Sequence, residues 1–182
     1  MARIYLVRHG RAAASFTDDL DPGLDDLGQS QAQTAAENLK DRVPLVLKSS
    51  PLARAFETAQ PLAGLLGQDV SIEPRVAEIP SPGLSLEERG PWLRGVMQDA
   101  WSNQSPELQQ WRGDIVSCLL EVEHDTVFFS HYVAINAAVG AATGDDRVLV
   151  FRPDNGSISC LSNDGNTLSL VSRGDEAETR VN

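Results

Sequence analysis

Short apolar runs rich in β-branched residues alternate with longer helical stretches along most of this 182-residue chain. The first run is Ile4 to Val7, and "VPLVLKSS" and "DTVFFS" are later ones. Helical spacing of apolar residues follows each run, directly or after a turn-rich loop. Strands that alternate with helices build sheets whose strands are largely parallel and carry helices on both faces. The pattern therefore predicts an α/β fold.

The spacing predicts helices over 27–40, 51–67, 106–122 and 131–144, the last ending at Gly144. Pro61 is expected to kink or split the second helix, because proline removes a backbone donor. The stretches "RVLVFR", "GSISCLSN" and "NTLSLVSR" are interpreted as strands, with "NDGN" as a hairpin turn between the last two. We expect one domain over 1–173, with a helical and loop-rich insertion at about 79–113, followed by a polar tail over 174–182.

A net charge of −11 argues against nucleic acid and anionic membranes as partners. A small anion remains compatible, since a local cluster of arginines can make a positive pocket. No apolar run approaches the roughly 20 residues that span a bilayer, and no secretory segment is evident, so we expect cytoplasmic residence. Cys118 and Cys160 lie in apolar contexts, where a disulfide is not favoured. The oligomeric state stays open, a homodimer included.

Three predicted strands are followed at once by side chains that can bind an anion. The dipeptide Arg8-His9 follows the first strand, Arg54 lies one turn beyond the second, and His131 follows the third. A carboxylate, Glu78, closes the extended stretch "RVAEI". In parallel sheets, sites form beyond the carboxyl ends of the strands. We therefore expect these five side chains to share one pocket.

Such a pocket favours phosphoryl transfer. Guanidinium groups bind phosphate through planar forks of donors, and the N–H groups at the start of a helix add affinity. A neutral imidazole, with an ordinary pKa of about 6.5, is a competent nucleophile near pH 7 and can form a phosphohistidine. A carboxylic acid is then needed to protonate the leaving oxygen and later to deprotonate water. No metal is required by this scheme.

The motifs "LVRHGRA", "SSPLARAFETA", "RVAEI" and "FFSHYVAINAAVG" resemble, in that order over about residues 3–142, those of the histidine phosphatase superfamily. This family is also called phosphoglycerate mutase-like. A lone RHG arises easily by chance, but RHG joined to the second motif and a later SH is far more specific. The resemblance implies a three-layer α/β/α sandwich, an insertion that covers the pocket, and neither metal nor organic cofactor.

The resemblance also implies a role for each of the five side chains. His9 would be the phosphorylated nucleophile, and Glu78 the general acid and base. Arg8, Arg54 and His131 would form the phosphate pocket, with His131 also part of the catalytic group. The implied reaction is metal-independent hydrolysis of a small phosphorylated metabolite.

Two departures from the family pattern concern the edge of the pocket. Many members have a hydroxyl residue and an asparagine shortly after RHG, where this chain has Ala12 and Ser15. Ser15 is therefore the remaining candidate for a side-chain contact to phosphate in that loop. After the second histidine, glycines are replaced by Tyr132 and its neighbour. Tyr132, together with Arg94 in the insertion, is a candidate for substrate specificity.

Three other functions stay open at this stage. A mutase would return the phosphoryl group to a sugar acid, although mutases of the family resemble longer chains with a larger insertion. A protein phosphatase would act on phosphohistidine, although short members that do so tend to lack an acid where Glu78 stands. A non-catalytic phosphate-binding module would be expected to have lost one of the five site residues, and none is lost.

Overall fold

A six-stranded mixed sheet forms the centre of the computed structural model, which describes residues 1–15 and 18–178. Its strands are β1 (Ala2–Arg8), β2 (Val46–Ser49), β3 (Ser71–Ile72), β4 (Thr126–Ser130), β5 (Ile158–Asn163) and β6 (Leu168–Ser172). They lie in the order β3-β2-β4-β1-β5-β6. The first four are parallel to one another, whereas β5 runs antiparallel to β1 and β6 antiparallel to β5. The sheet is thus mostly parallel, as predicted.

Helices cover both faces of the sheet. The α-helices in the described residues are α1 (Asp26–Leu39), α2 (Ala53–Leu66), α3 (Leu86–Met97), α4 (Pro106–Leu120) and α5 (Tyr132–Thr143). Side chains of a strand point alternately to its two faces. Along β1, Tyr5 and Val7 therefore pack with α1 and α2, whereas Ile4 and Leu6 pack with α4 and α5. This arrangement confirms the predicted three-layer α/β/α sandwich.

Local chemistry sets the ends of these helices. The carboxylate of Asp25 accepts a hydrogen bond from the backbone N–H of Gly28 at 2.7 Å, which caps the start of α1. Gly67 and Gly144 follow α2 and α5 with φ of 63° and 69°, a left-handed conformation that glycine adopts without strain. The predicted helix end at Gly144 is therefore confirmed.

The predicted strand "RVLVFR" is wrong. Residues 147–152 cross the surface of α5 as an irregular segment, although Val148 and Phe151 are buried. The backbone N–H groups of Val150 and Phe151 donate to the side-chain oxygen of Asn136 on α5, at 2.8 and 3.0 Å. Because a buried amide on a helix satisfies these donors, the segment has no need of a sheet partner.

Of the two effects predicted for Pro61, a split of the helix is wrong, since α2 runs unbroken from Ala53 to Leu66, while a kink stays a prediction. Proline removes one intrahelical donor. The same helix buries Ala55, Ala59 and Leu62 completely against the sheet. This packing outweighs the loss of one hydrogen bond.

Several smaller expectations can be placed in the described chain. Cys118 and Cys160 are buried free thiols. Within residues 1–15 and 18–178, no helix has both the length and the apolar content to cross a bilayer. The polar tail is described to residue 178, where Glu176 bridges to Pro153. Its remainder, 179–182, lies outside the described residues, as do residues 16 and 17 of the loop after β1.

Candidate active site

The carboxyl ends of β1, β2 and β4 bring the predicted side chains together. These strands are parallel neighbours, with Arg8 opposite Ser130 in the register of β1 and β4. Backbone hydrogen bonds extend this pairing one residue past the ends of β1 and β2. His9 N donates to the carbonyl oxygen of Ser130 and Ser50 N donates to that of Phe129, both at 3.0 Å. The predicted convergence of strand ends therefore follows directly from the sheet order.

His9 is buried and held in one tautomer. Its Nδ1 lies 2.7 Å from the carbonyl oxygen of Gly10, and its Nε2 lies 3.2 Å from Nε of Arg54. A guanidinium only donates, so Nε2 accepts with its lone pair while Nδ1 carries the hydrogen. Burial, followed by the charges of Arg8 and Arg54, holds the pKa of His9 well below its usual range. The ring is thus a neutral imidazole with a nucleophilic Nε2.

His131 lies beside it, with the two ring centres 5.2 Å apart. It is fully buried at the start of α5, and its Nε2 is 2.8 Å from the hydroxyl oxygen of Ser50. No hydrogen bond to its Nδ1 is found in the described part of the chain. Burial and the nearby His9, Arg54 and Arg8 hold the pKa of His131 well below its usual range. A second neutral imidazole with an unused ring nitrogen therefore lies beside His9, although His131 is not among the described residues that line the cleft next to it.

Arg8 and Arg54 supply positive charge. Arg8 donates from Nη1 to the carbonyl oxygen of Pro153 at 2.8 Å, and its guanidinium lies 4.9 Å from the ring centre of Tyr132. Burial lowers the pKa of both arginines, yet a guanidinium stays protonated in proteins. Among residues 1–15 and 18–178, neither forms a salt bridge. Because unpaired buried cations are costly, the two guanidinium groups favour an anion between them.

A cleft lined by Arg8, His9 and Arg54 is also lined by Glu78, which is partly buried. Three backbone amides hold its carboxylate. Oε1 accepts from Ile79 N and Ala134 N at 2.9 and 3.1 Å, and Oε2 accepts from Val133 N at 3.1 Å. Two of these amides belong to the first turn of α5. Burial raises the pKa of Glu78 above its ordinary value, although the three hydrogen bonds and the charge of Arg54 act in the opposite direction. The group is thus shifted toward the range of a neutral-pH proton donor.

Other carboxylates near Glu78 in the sequence are placed elsewhere. Glu73 pairs with Arg75 at 2.9 Å, and hydrogen bonds from this partner lower the pKa of Glu73 to about 2. Glu87 and Glu88 are exposed in the first turn of α3, where Glu88 completes a capping box with Ser85. Of these acids, Glu78 alone lines the cleft.

Sequence reasoning missed three residues that support the site. Thr58 accepts from Gly10 N at 3.0 Å and donates to the carbonyl of Arg54 at 2.6 Å, which ties the His9 loop to α2. Asn155 donates from Nδ2 to the carbonyl of His9 at 3.0 Å. Ser50, the third, holds His131. Ser50 and Thr58 lie inside the motif "SSPLARAFETA", which could have pointed to them, whereas no sequence signal links Asn155 to a loop 146 positions away.

The peripheral candidates are placed less uniformly. Tyr132 lines the cleft beside Arg8. Ser15 also lines it, but is exposed and donates its hydroxyl hydrogen to Asp18 at 2.6 Å. Arg94 is exposed on α3 and is not among the described residues that line the cleft. The contact of Ser15 with phosphate and the specificity role of Arg94 stay predictions.

The cleft has a volume of about 420 Å³. In the described chain, no three His, Cys, Asp or Glu side chains are gathered in a way that could hold a metal ion. A neutral imidazole, two guanidinium groups and a carboxyl group of raised pKa line this cleft. The charge of Glu78 acts on both arginines, although neither forms a salt bridge with a described residue. Groups of these kinds are the ones that phosphoryl transfer needs.

Comparison with known proteins identifies the family. The model of the histidine phosphatase superfamily (branch 1) matches residues 4–176, and the chain belongs to this superfamily. It is 31% identical over 170 residues to a glucosyl-3-phosphoglycerate phosphatase of Mycolicibacterium vanbaalenii, covering 88% of this chain and 72% of that relative. A probable phosphoglycerate mutase of Photorhabdus laumondii is 26% identical over 163 residues, covering 79% and 76% of the two chains.

Solved structures agree on the fold. A mycobacterial glucosyl-3-phosphoglycerate phosphatase in complex with VO3 superposes with a TM-score of 0.76 at 24% identity, covering 97% of this chain and 100% of that one. A phosphoserine phosphatase from Entamoeba histolytica in complex with 3-phosphoglyceric acid has a TM-score of 0.77 at 22% identity, covering 96% and 98%. The family predicted from the sequence is confirmed, as is the predicted class of enzyme, a phosphatase of this superfamily.

Proposed function

We propose that this chain hydrolyses phosphomonoesters of small metabolites through a phosphohistidine on Nε2 of His9. The observation that carries the proposal is the pair formed by Nε2 and Nε of Arg54, 3.2 Å apart. It leaves the nucleophilic lone pair directed at the group that would bind the phosphate oxygens. Arg54 then exchanges this contact for an oxygen of the substrate, and Nε2 becomes available to attack phosphorus.

The reaction needs two displacements. In the first, the bond from Nε2 to phosphorus forms, the ester P–O bond breaks, and the proton of the Glu78 carboxyl passes to the leaving oxygen. In the second, Glu78 takes a proton from water, whose oxygen attacks phosphorus as the P–N bond breaks. Inorganic phosphate leaves, and both His9 and Glu78 return to their starting states. Arg8 and Arg54 stabilise the charge on the transferred group throughout.

Ser50 gives His131 a defined part in this scheme. Its hydroxyl oxygen accepts from Leu52 N at 3.2 Å, and its hydrogen can be donated to Nε2 of His131. The imidazole then carries its own hydrogen on Nδ1, the nitrogen without a described partner. That N–H would donate to a phosphate oxygen. His131 therefore binds phosphate as a neutral donor beside the two cations.

Hydrolysis is favoured over mutase activity by the comparison that covers most of the chain. The relative at 31% identity over 88% of this chain is named a phosphatase, whereas the mutase-named relative is 26% identical over 79%. The names of the phosphatase relatives point to glucosyl-3-phosphoglycerate and phosphoserine as substrates of those proteins. For this chain we carry over only the reaction and the small size of the substrate. Cytoplasmic residence and the oligomeric state stay predictions.

Turnover of 4-nitrophenyl phosphate by the His9→Ala variant tests the proposal. We expect the variant to lose activity by at least about a thousandfold, since removal of a covalent nucleophile leaves only the binding contribution. The His124→Ala variant is the matched control, because this third histidine is exposed and outside the cleft. Activity should also survive EDTA. Full turnover by His9→Ala, or no acid-labile, base-stable phosphate on wild-type protein quenched during a single turnover, would contradict the mechanism.

A further inference from the structure

The cleft above the phosphate-binding groups has apolar walls. The loop after β1 contributes the three alanines at 12–14 together with Leu20 and Pro22. Helix α3 contributes Leu93 and Met97, four residues apart on one face of the helix. Walls of this kind bind alkyl and aromatic groups, because contact removes apolar surface from water.

The charges at the mouth do not suit a second anion. Of the described residues that line the cleft, Arg11 is the one cation besides Arg8 and Arg54, and its guanidinium pairs with the carboxylate of Asp25. Asp19 also lines the cleft and is exposed there. A carboxylate on the substrate, held beyond the phosphate, would meet the negative charge of Asp19. Among the described lining residues, the cation left for it is Arg11, which already pairs with Asp25. Two negative charges held in one cleft repel each other even in water.

We propose that the substrates are phosphomonoesters whose alcohol portion is apolar and carries no second anionic group. This inference rests on the proposed function. The phosphate occupies the cationic floor, and the alcohol lies between the alanines of the loop and the face of α3. The class differs from the esters of hydroxy acids for which the phosphatase relatives are named, since those bring a carboxylate as well as a phosphate. The specificity would come from Leu93, Met97 and Asp19.

A matched pair of substrates tests the inference: 4-propylphenyl phosphate and 4-(2-carboxyethyl)phenyl phosphate. The two have similar leaving groups, since a saturated spacer separates the carboxylate from the ring, and they differ mainly in charge. We expect kcat/KM to favour the propyl ester by about tenfold or more, the discrimination that a single group in a pocket can supply. A ratio below about threefold overturns the substrate class, yet leaves the proposed function standing if both activities disappear in His9→Ala. No His9-dependent turnover of either ester overturns the proposed function itself.

Variants of the walls locate the discrimination. Asp19→Asn should lower the ratio of the two kcat/KM values by about two- to fivefold, because it removes one nearby negative charge and so raises kcat/KM for the carboxylated ester. The exposed Asp69, which precedes β3 at the opposite end of the strands, supplies the control Asp69→Asn, which should leave the ratio unchanged. Leu93→Lys adds a cation to the wall and should narrow the ratio further, whereas Leu93→Met should not. A ratio that neither Asp19→Asn nor Leu93→Lys alters overturns the assignment to these walls.

Discussion

Replacing Gly28 with alanine tests whether the packing of α1 holds the loop that carries His9. Gly10 and Gly28 face each other across this contact. A Cβ added at Gly28 would lie 2.2 Å from the carbonyl oxygen of Arg11, and one added at Gly10 would lie 2.3 Å from that of Gly28. Real Cβ atoms essentially never approach closer than 3.0 Å, and both obstacles are backbone. In Gly28→Ala, α1 and the loop must therefore separate by roughly 0.8 Å.

The expected loss of stability can be separated from helix propensity. Overpacking a close contact costs about 1–3 kcal/mol, and alanine in place of glycine inside a helix contributes roughly 1 kcal/mol in the opposite direction. Gly64 on α2 is the control, since a Cβ there would meet nothing within 4 Å. Gly64→Ala should raise the free energy of unfolding, whereas Gly28→Ala should lower it or leave it level. The two variants should differ by about 1–3 kcal/mol, the cost of the contact alone.

The same displacement should reach the chemistry. The shift passes to Gly10, whose carbonyl oxygen orients the His9 ring through Nδ1. A misplacement of about 1 Å at a reacting group can cost on the order of a hundredfold in rate, so we expect kcat/KM of Gly28→Ala to fall at least about tenfold. Urea unfolding gives the stability, and steady-state hydrolysis of an aryl phosphate gives the rate. Gly28→Ala as stable as Gly64→Ala, with wild-type kinetics, would refute the reasoning.

Two further measurements follow from pKa shifts. For an alkyl phosphate, kcat/KM should rise with pH through the lowered pKa of His9, which attacks when neutral, and fall at higher pH through the raised pKa of Glu78, which donates when protonated. Glu78→Gln should abolish the fall at high pH and should slow alkyl esters far more than activated aryl esters. Equal losses of rate on both kinds of ester would remove Glu78 from the proton-transfer role. Burial raises the pKa of the Cys118 thiol to about 12 and raises that of Cys160 as well. Both thiols should react with a maleimide only after the protein is unfolded, as mass spectrometry would show, and rapid labelling of native protein would contradict this account.

The sequence predicts the layers of this fold well because burial leaves a periodic pattern. Tyr5 and Val7 alternate with Ile4 and Leu6, and the two sets pack against different helices. The predicted strand at "RVLVFR" is absent for a physical reason. The segment is as apolar as a strand, but the N–H groups of Val150 and Phe151 donate to the side chain of Asn136 on the preceding helix instead of to a neighbouring strand. Periodicity reports burial and does not report which group accepts a hydrogen bond.

In the candidate site, too, some residues could be predicted from the sequence and others depend on tertiary contacts. The residues of the motifs could be predicted because they follow strands whose carboxyl ends must meet once the sheet is parallel. Glu78 could be chosen over its neighbours only because it matched a motif, since its placement depends on amides of α5. The close contact of Gly10 with Gly28 could not be predicted, because it joins the loop after β1 to a different element, α1. Asn155 was beyond prediction, because a tertiary contact alone brings it to His9.

The unpaired arginines explain why such a site can bind phosphate strongly. Burying Arg8 and Arg54 lowers the pKa of both, which means that the folded protein holds two cations in an unfavourable environment. The two histidines are neutral, and Glu78, whose charge acts on both arginines, forms no salt bridge with them and accepts hydrogen bonds from three backbone amides. In the proposed mechanism a phosphate dianion adds negative charge beside the arginines, and the donors need not be desolvated again when it binds. Folding thus bears the cost of preorganising the groups, and the charge of the transferred phosphoryl group is stabilised without further rearrangement.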